Sequence, residues 1–322
     1  MLAAWKTREQ LIQEMKNLAD NNPSLCSYQS IGKTVLGNDI WLFRVGTNIN
    51  AKILVDGTTH GMEQAGGHCI MHLMQWLLGT SAEANYVRSH MQVLLVPIVN
   101  YDKYQPGGIG KPSYRKNARP DPTYFPPTGY GCVNWDADPP QCSGVDVNRN
   151  HIRGWSPGSD TLSPYYSGPS AGREPETQAI NALIQAENPK VYVTIHDFGG
   201  TVSTHGDFRY PNYGNPSYAS SCIALHNEYA SLVQSLGFTP HTRIMQSAYG
   251  SSRDDGYNDG MTVSALWEET GGDTVTPDLI RDNKAKHLIA FVMACAQQYG
   301  VEPQKSPLPL LLLATLTLML IS

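Results

Sequence analysis

Apolar residues along the chain switch repeatedly between two periods. Helical spacing of three and four governs Thr7–Ala19 and the run carrying Ile70, Leu73, Met74, Leu77 and Leu78. The same spacing returns in Glu176–Glu187, Ser217–Leu236 and Leu279–Tyr299. Short apolar or alternating runs at Ile53–Val55, Gln92–Val99, Val191–Ile195 and Val263–Trp267 predict buried strands. Upstream, Tyr28–Val35 and Ile40–Val45 flank Gly37-Asn38, a favoured turn pair, and predict a hairpin. Strands that alternate with helices predict an α/β fold: a single domain whose mixed, mostly parallel twisted sheet carries helices on both faces. No internal repeat and no linker interrupts residues 1–300, so that span reads as one domain. Between Asn100 and Gly172 no period holds, and Pro, Gly, Tyr and Asn dominate. So long an aperiodic stretch in a compact domain is expected to be functional loop.

Composition narrows the class. A chain of 322 residues can bury a large core. Its net charge of −5, with scattered basic residues, excludes a nucleic-acid partner. Charged residues make up only 16%, while Gly, Pro and Tyr are plentiful, which suits a loop-rich extracellular protein. Among six cysteines, Cys132 and Cys142 lie ten apart in Pro- and Gly-rich sequence. A disulfide would staple that loop, the alternative being two unpaired thiols. Cys69, Cys222 and Cys295 fall on apolar helical faces and are expected as buried thiols.

The ends conflict over targeting. The first twenty residues are amphipathic and lack the apolar core of a signal peptide. Residues 301–322 form a polar spacer followed by an apolar tail from Leu308 to Ile321, short for a membrane span. That pattern matches a glycolipid-anchor signal, with a tail anchor or an unusual hydrophobic terminus as the alternatives. Such a signal acts only on a secreted precursor, so a leader and a pro-segment are expected to be missing from the start. The expected location is extracellular or at the cell surface, with membrane attachment through the tail.

Three residues carry candidate chemistry. His60 and Glu63 stand where the strand ending at Asp56-Gly57 hands over to a helix. In an open α/β sheet, ligands gather at the carboxyl ends of the strands. An imidazole and a carboxylate three apart can address one centre, although a solvated helix start explains such a pair equally well. His196 directly follows Val191–Ile195 and so reaches the same sheet edge. Together they form a two-His, one-carboxylate zinc site with a fourth position open for water.

With these motifs in order from Thr7 to Tyr299, the chain resembles the zinc metallocarboxypeptidases of the carboxypeptidase A/B type. The resemblance implies one zinc per chain, held by His60, Glu63 and His196. It implies a carboxylate clamp of Asn148 and Arg149 in Gly144-Val145-Asp146-Val147-Asn148-Arg149-Asn150, and an oxyanion-stabilising Arg115. It further implies a mobile Tyr249 that closes over substrate, and Glu268, rather than Glu269, as catalytic base. Alternation along Val263–Trp267 lets only one of those neighbours face the site. The reaction implied is hydrolysis of the last peptide bond of peptides or proteins by a monomeric enzyme. Met62 stands where pancreatic members carry arginine, Asp197 where many relatives carry serine, and the loop from Tyr249 to Gly260 is shorter.

In the family, the residue fifteen places before the catalytic glutamate floors the specificity pocket, and here it is Arg253. With the apolar tail, this looks carboxypeptidase O-like and implies a preference for C-terminal Glu or Asp. A shifted register would instead pair Arg253 with Asp254 or Asp255 and let Asp255 select Lys or Arg. Two other functions stay open. One is a related zinc hydrolase of N-acyl amino acids or cell-wall peptides; the other is an inactive relative that serves as a binding module.

Overall fold

The computed structural model describes residues 4–105, 114–121, 132–134, 141–198, 206–257, 263–270 and 276–300. The 301–322 tail therefore lies outside the described residues. No helix among the described residues is long and apolar enough to cross a membrane.

The strands in chain order are β1 (Cys26–Lys33), β2 (Asp39–Val45), β3 (Lys52–Gly57), β4 (Gln92–Val96), β5 (Cys132–Asn134), β6 (Gln141–Cys142), β7 (Val191–Phe198), β8 (Asp207–Pro211), β9 (Thr242–Gln246) and β10 (Val263–Thr270). The helices are α1 (Arg8–Asp20), α2 (Ala65–Leu77), α3 (Ala82–His90), α4 (Pro175–Glu187), α5 (Pro216–Ser235) and α6 (Ser252–Gly256). A last helical run comprises α7 (Pro277–Leu279), one π-helical segment over Ile280–Lys284, and α8 (Ala285–Tyr299).

Eight strands form one mixed sheet in the order β1-β2-β4-β3-β7-β10-β8-β9. The central four, β4, β3, β7 and β10, run parallel. Antiparallel pairings join β2 to β4 and β8 to β10 at their flanks. Side chains alternate across the sheet as a two-residue period requires. Ile53, Val55, Val93, Leu95, Val191, Val193 and Ile195 enter one core with residues of α1, α2, α5 and α8. Leu54, Leu94, Val96 and Tyr192 enter the other with Ile180, Leu183 and Ile184 of α4. The predicted two-faced α/β domain is thus observed, and Cys69, Cys222 and Cys295 are buried as expected.

Several elements depart from the expectations. The first strand is Cys26–Lys33 rather than Tyr28–Val35, because the chain after it bonds elsewhere. Val35 N donates to Glu176 Oε1, and the Asp102 carboxylate accepts from Thr34, Leu36 and Asn38. The strand from Gln92 stops at Val96, before Pro97, which has no N–H to continue the ladder. Helix α3 escapes the period because its buried face mixes Ala84 and Val87 with Glu83 and Arg88. Strands β8 and β9 escape because Asp207, Arg209 and Arg243 break their apolar runs.

Strand β3 connects onward to β4 on one side, while β7 and β10 extend the sheet on the other. The crevice at this change of direction, beyond the carboxyl ends of β3 and β7, is where ligands bind in such sheets. A close approach of α2 to β3 builds it. A Cβ on Gly57 would meet the Gly66 backbone at 2.9 Å, so the pair of glycines lets helix and strand touch.

A buried acidic pair braces the sheet against the long loop. Asn117 Nδ2 donates to both Glu174 (2.7 Å) and Glu176 (3.0 Å). Burial lifts the Glu176 carboxyl to about 7, against an ordinary value of 4.5, with the Asn117 and Val35 hydrogen bonds opposing the rise. Below pH 4.5 the group is protonated in the folded and unfolded chains alike, and its contribution to stability is complete. As pH rises toward 7 only the unfolded chain gives up the proton, so that contribution is lost. Chemical denaturation of wild type and Glu176→Gln across this window should show wild type losing on the order of 2 kcal/mol relative to the variant. A constant difference between the two would refute the assignment.

Candidate active site

At the end of β3 the backbone turns sharply. Thr58 adopts φ of 53°, a left-handed conformation uncommon for a threonine, two residues before His60. Gly61 follows, and a Cβ there would lie 2.2 Å from the Lys103 carbonyl oxygen, so no other residue fits. A turn closed by Glu63 N donating to His60 O (2.9 Å) brings the two side chains together.

Glu63 spans two imidazoles, one oxygen to each. Its Oε1 lies 2.6 Å from His60 Nδ1 and its Oε2 lies 2.8 Å from His196 Nδ1. One ligand atom from each residue falls within 4.8 Å of the other two, and all three residues are buried. Two imidazole nitrogens and a carboxylate at the head of a crevice fit a catalytic zinc ion. The outer contacts fit as well. His60 Nε2 lies 3.1 Å from Asp146 Oδ1, the carboxylate partner that a ligating imidazole commonly has. His196 Nε2 lies 3.4 Å from Thr194 Oγ1.

Asp146 is the residue that sequence reasoning missed, although it lies inside the quoted clamp motif. It is fully buried and serves three partners. Besides His60, it accepts from Arg115 Nε (3.0 Å) and Nη2 (2.8 Å) and from Asn148 N (2.9 Å). One carboxylate thereby fixes the His60 imidazole, the Arg115 guanidinium and the start of the turn Val147–Arg149. The available signal was an acidic residue two before the Asn-Arg pair, where an aspartate accepts from the backbone N–H two residues on.

Electrostatics follow from the burial of these groups. Burial pushes the Glu63 carboxyl up, but His60 and His196 outweigh it and hold the group well below the usual range. For Asp146, burial is likewise outweighed by Arg115 and His60, so it too stays ionised. Burial and Arg115 lower His60, while Glu63 and Asp146 prevail and raise it.

Glu268 on β10 faces this centre from the neighbouring strand, where it is the register partner of His196. Burial raises its pKa, Glu63 adds to the rise, and His196 and Arg209 oppose it. A carboxylate with raised basicity beside a candidate metal centre suits a general base. The side chain of Glu269 lies outside the described residues.

A group of cations and aromatics stands near enough for Glu268 to add electrostatically to the burial-driven rise of the Tyr249 hydroxyl. The Tyr249 ring lies between Arg149, at 4.5 Å, and Arg253, at 4.7 Å. Tyr165 covers the arginines from outside, 5.0 Å from Arg115 and 5.6 Å from Arg149. Asn148 is buried, and its Oδ1 has no hydrogen-bond partner among the described residues. Rotated about its amide, the same position offers an N–H to an incoming carboxylate.

Arg253 is enclosed. It is 0% exposed and donates to Asp254 Oδ1, Gln246 Oε1 and Ser247 O. Asp255 turns away from it, accepting from Ile152 N, Arg153 N and Asn181 Nδ2. Cys132 and Cys142 stand directly opposite each other across β5 and β6. The Cys132 side chain lies outside the described residues, and with it the expected disulfide.

The zinc carboxypeptidase family model matches residues 11–311. Carboxypeptidase B of Bos taurus is 25% identical over 287 residues, covering 82% of this chain and 62% of its own length. Carboxypeptidase A2 of Rattus norvegicus is 25% identical over 315 residues, covering 95% of this chain and 66% of its own. The chain thus spans about three fifths of the carboxypeptidase B that it matches. Among solved structures, thrombin activatable fibrinolysis inhibitor superposes with a TM-score of 0.72 at 18% identity, covering 91% of this chain and 76% of that one. Carboxypeptidase A of Helicoverpa armigera superposes with a TM-score of 0.71 at 19% identity, covering 91% and 74%.

Purified protein should bind about one zinc per chain, and His60→Ala, Glu63→Ala or His196→Ala should each abolish stoichiometric binding by removing one of about three protein ligands. Asp146→Asn should weaken zinc affinity by about 10- to 100-fold in a competition titration against a chelator. Full occupancy in the three ligand variants would sink the site.

Proposed function

The chain belongs to the zinc carboxypeptidase family, and on that premise we propose that it hydrolyses the C-terminal peptide bond of peptides or proteins. The observation that carries the reading is the Asp146 carboxylate, which ties two assemblies together by contacting His60, Arg115 and Asn148 N. The first comprises His60, Glu63, His196 and Glu268; the second comprises Asn148, Arg149 and Tyr249.

His60, Glu63 and His196 would hold the metal. Zinc, when bound, polarises a carbonyl and lowers the pKa of water. Arg149 and Asn148 bind the terminal carboxylate of the substrate, the guanidinium fork matching its geometry. The Tyr249 ring, stacked on Arg149, closes over that end. Arg115, anchored by Asp146, presents its remaining N–H groups to the oxygen that gains charge when the carbonyl is attacked. Glu268 accepts the attacking water's proton and passes it to the leaving amine.

The finer reading is a preference for acidic C-terminal residues. It is supported by Arg253 lying 4.7 Å from the Tyr249 ring and by the engagement of Asp255 with Ile152 N and Arg153 N; the Arg253–Asp254 pair is the feature that the basic alternative shares. Asp254 already balances the Arg253 charge, so the selectivity should be modest. We further read the protein as extracellular or surface-attached, with a Cys132–Cys142 disulfide that the cross-strand register supports.

Glu268→Gln keeps the shape and removes the base, so turnover should fall by about two to four orders of magnitude with zinc retained. Arg149→Ala should chiefly raise KM for substrates with a free C-terminus. Inactivation by Glu269→Gln instead would assign the base to the neighbouring residue. Blocked dipeptides ending in Glu, Phe, Leu and Arg should be cleaved with Glu leading by about tenfold, a lead worth about 1.4 kcal/mol that Arg253→Ala erases; fastest cleavage of the Arg-ending peptide would reject the preference. Expressed behind a secretory leader in eukaryotic cells, the full chain should be released by a phospholipase specific for glycolipid anchors. Alkylation before and after reduction should reveal one disulfide. Retention of the tail by mass, or six free thiols, would count against these readings.

A further inference from the structure

Beside Glu268 lies a cation for which neither the metal centre nor the carboxylate clamp has a use. Strand β8 runs antiparallel to β10, with Asp207 opposite Glu268 and Arg209 opposite Leu266. By the two-residue period of a strand, Asp207, Arg209 and Glu268 all stand on one face of the sheet. The Arg209 guanidinium uses two of its edges differently. Nε and Nη2 donate to the two oxygens of Asp207, at 2.7 and 3.2 Å. Nη1 donates to Glu268 Oε1 at 3.2 Å.

We propose that Arg209, locked by Asp207, is a positioning residue that holds the Glu268 carboxylate in a single orientation for its role as base. This rests on the hydrolase reading above. The terminal torsion of a glutamate is broad and nearly two-fold, so an untethered carboxylate samples many directions. A proton acceptor works only from a narrow set of them. Arg209 occupies one oxygen of Glu268 and leaves the other for the proton. Asp207 fixes the guanidinium plane, because a bidentate pair defines orientation as well as distance. The Glu268 side chain is 13% exposed and that of Arg209 25%, so little water competes for the bond. Lysine could not substitute fully, since a single ammonium cannot hold Asp207 on one edge and Glu268 on another.

The test uses the zinc-loaded full chain and one blocked dipeptide, with Arg209→Ala, Arg209→Lys, Glu268→Gln and the Arg209→Ala/Glu268→Gln double variant. Zinc content and melting temperature are checked for each. Arg209→Ala should lower kcat by about 10- to 100-fold and move KM by less than about twofold, as expected for lost orientation rather than lost binding. Added guanidinium should recover part of that loss, and Arg209→Lys should fall in between. In the Glu268→Gln background, Arg209→Ala should cost nothing further, because it acts only through the base. A readout independent of turnover is the metal-free crystal structure of Arg209→Ala, in which the Glu268 carboxylate should spread over more than one rotamer. Unchanged or faster turnover, a loss confined to KM, an additive double variant, or an unmoved single Glu268 rotamer would each overturn the proposal. Full activity of Glu268→Gln would instead refute the base assignment, and the rotamer readout would still judge the hold of Arg209 by itself.

Discussion

Everything in the crevice depends on charges kept out of water by one another. Glu63, Asp146 and Arg115 are ionised and largely enclosed, and two imidazoles complete the cluster. A buried ion pair is a poor source of stability, since desolvation offsets most of the attraction. Breaking one by removing a partner is a different matter, and leaves an uncompensated buried charge. The cluster is therefore best understood as a constraint on geometry. Each carboxylate has several partners, so none of the side chains can rotate without stranding another.

This explains why the candidate metal centre sits at the sheet edge, with His60 and Glu63 in the tight turn after β3 and His196 on β7. His196 and Glu268 lie on β7 and β10, and His60 in the turn that leaves the adjacent parallel strand β3; the spacing of these strands is set by backbone hydrogen bonds. The substrate side is built differently. Arg115, Asn148, Arg149 and Tyr249 come from irregular segments, and their positions depend on stacking and on side-chain carboxylates such as Asp146 and Asp254. Rigid chemistry and adaptable recognition are thus divided between two kinds of structure within one cleft.

What could be read from the chain follows the same division. The strand-end histidines were legible because apolar runs at Ile53–Val55 and Val191–Ile195 mark where buried strands stop. The helices α1, α4, α5 and α8 were legible because their apolar stripes face a large core. Strands β8 and β9 were not, since an edge position relieves Thr242 and Arg243 of any need to be apolar, and Arg209 is spent on Glu268. The stretch from Asn100 to Gly172 was legible only as loop. Its described residues are held by contacts at long sequence separation, such as Asn117 with Glu174 and Glu176, which no local period records. The placement of Arg253 depended on counting residues, and its enclosure by Asp254 and Gln246 could be learned only from the fold.

The scattering of the ligands along the chain also bears on how the protein is made. His60 and His196 are brought together only when β3 and β7 pair, and Glu268 joins them only when β10 docks on β7. Pairings of such distant segments are slow to form, because loop closure must be paid for before the contact rewards it. A species in which β3 and β7 have not yet paired would thus present only the local pair His60 and Glu63, without His196. A metal held by all three residues would be captured only once that sheet is assembled, as a seal on it, and its binding energy would add to the stability of the native state.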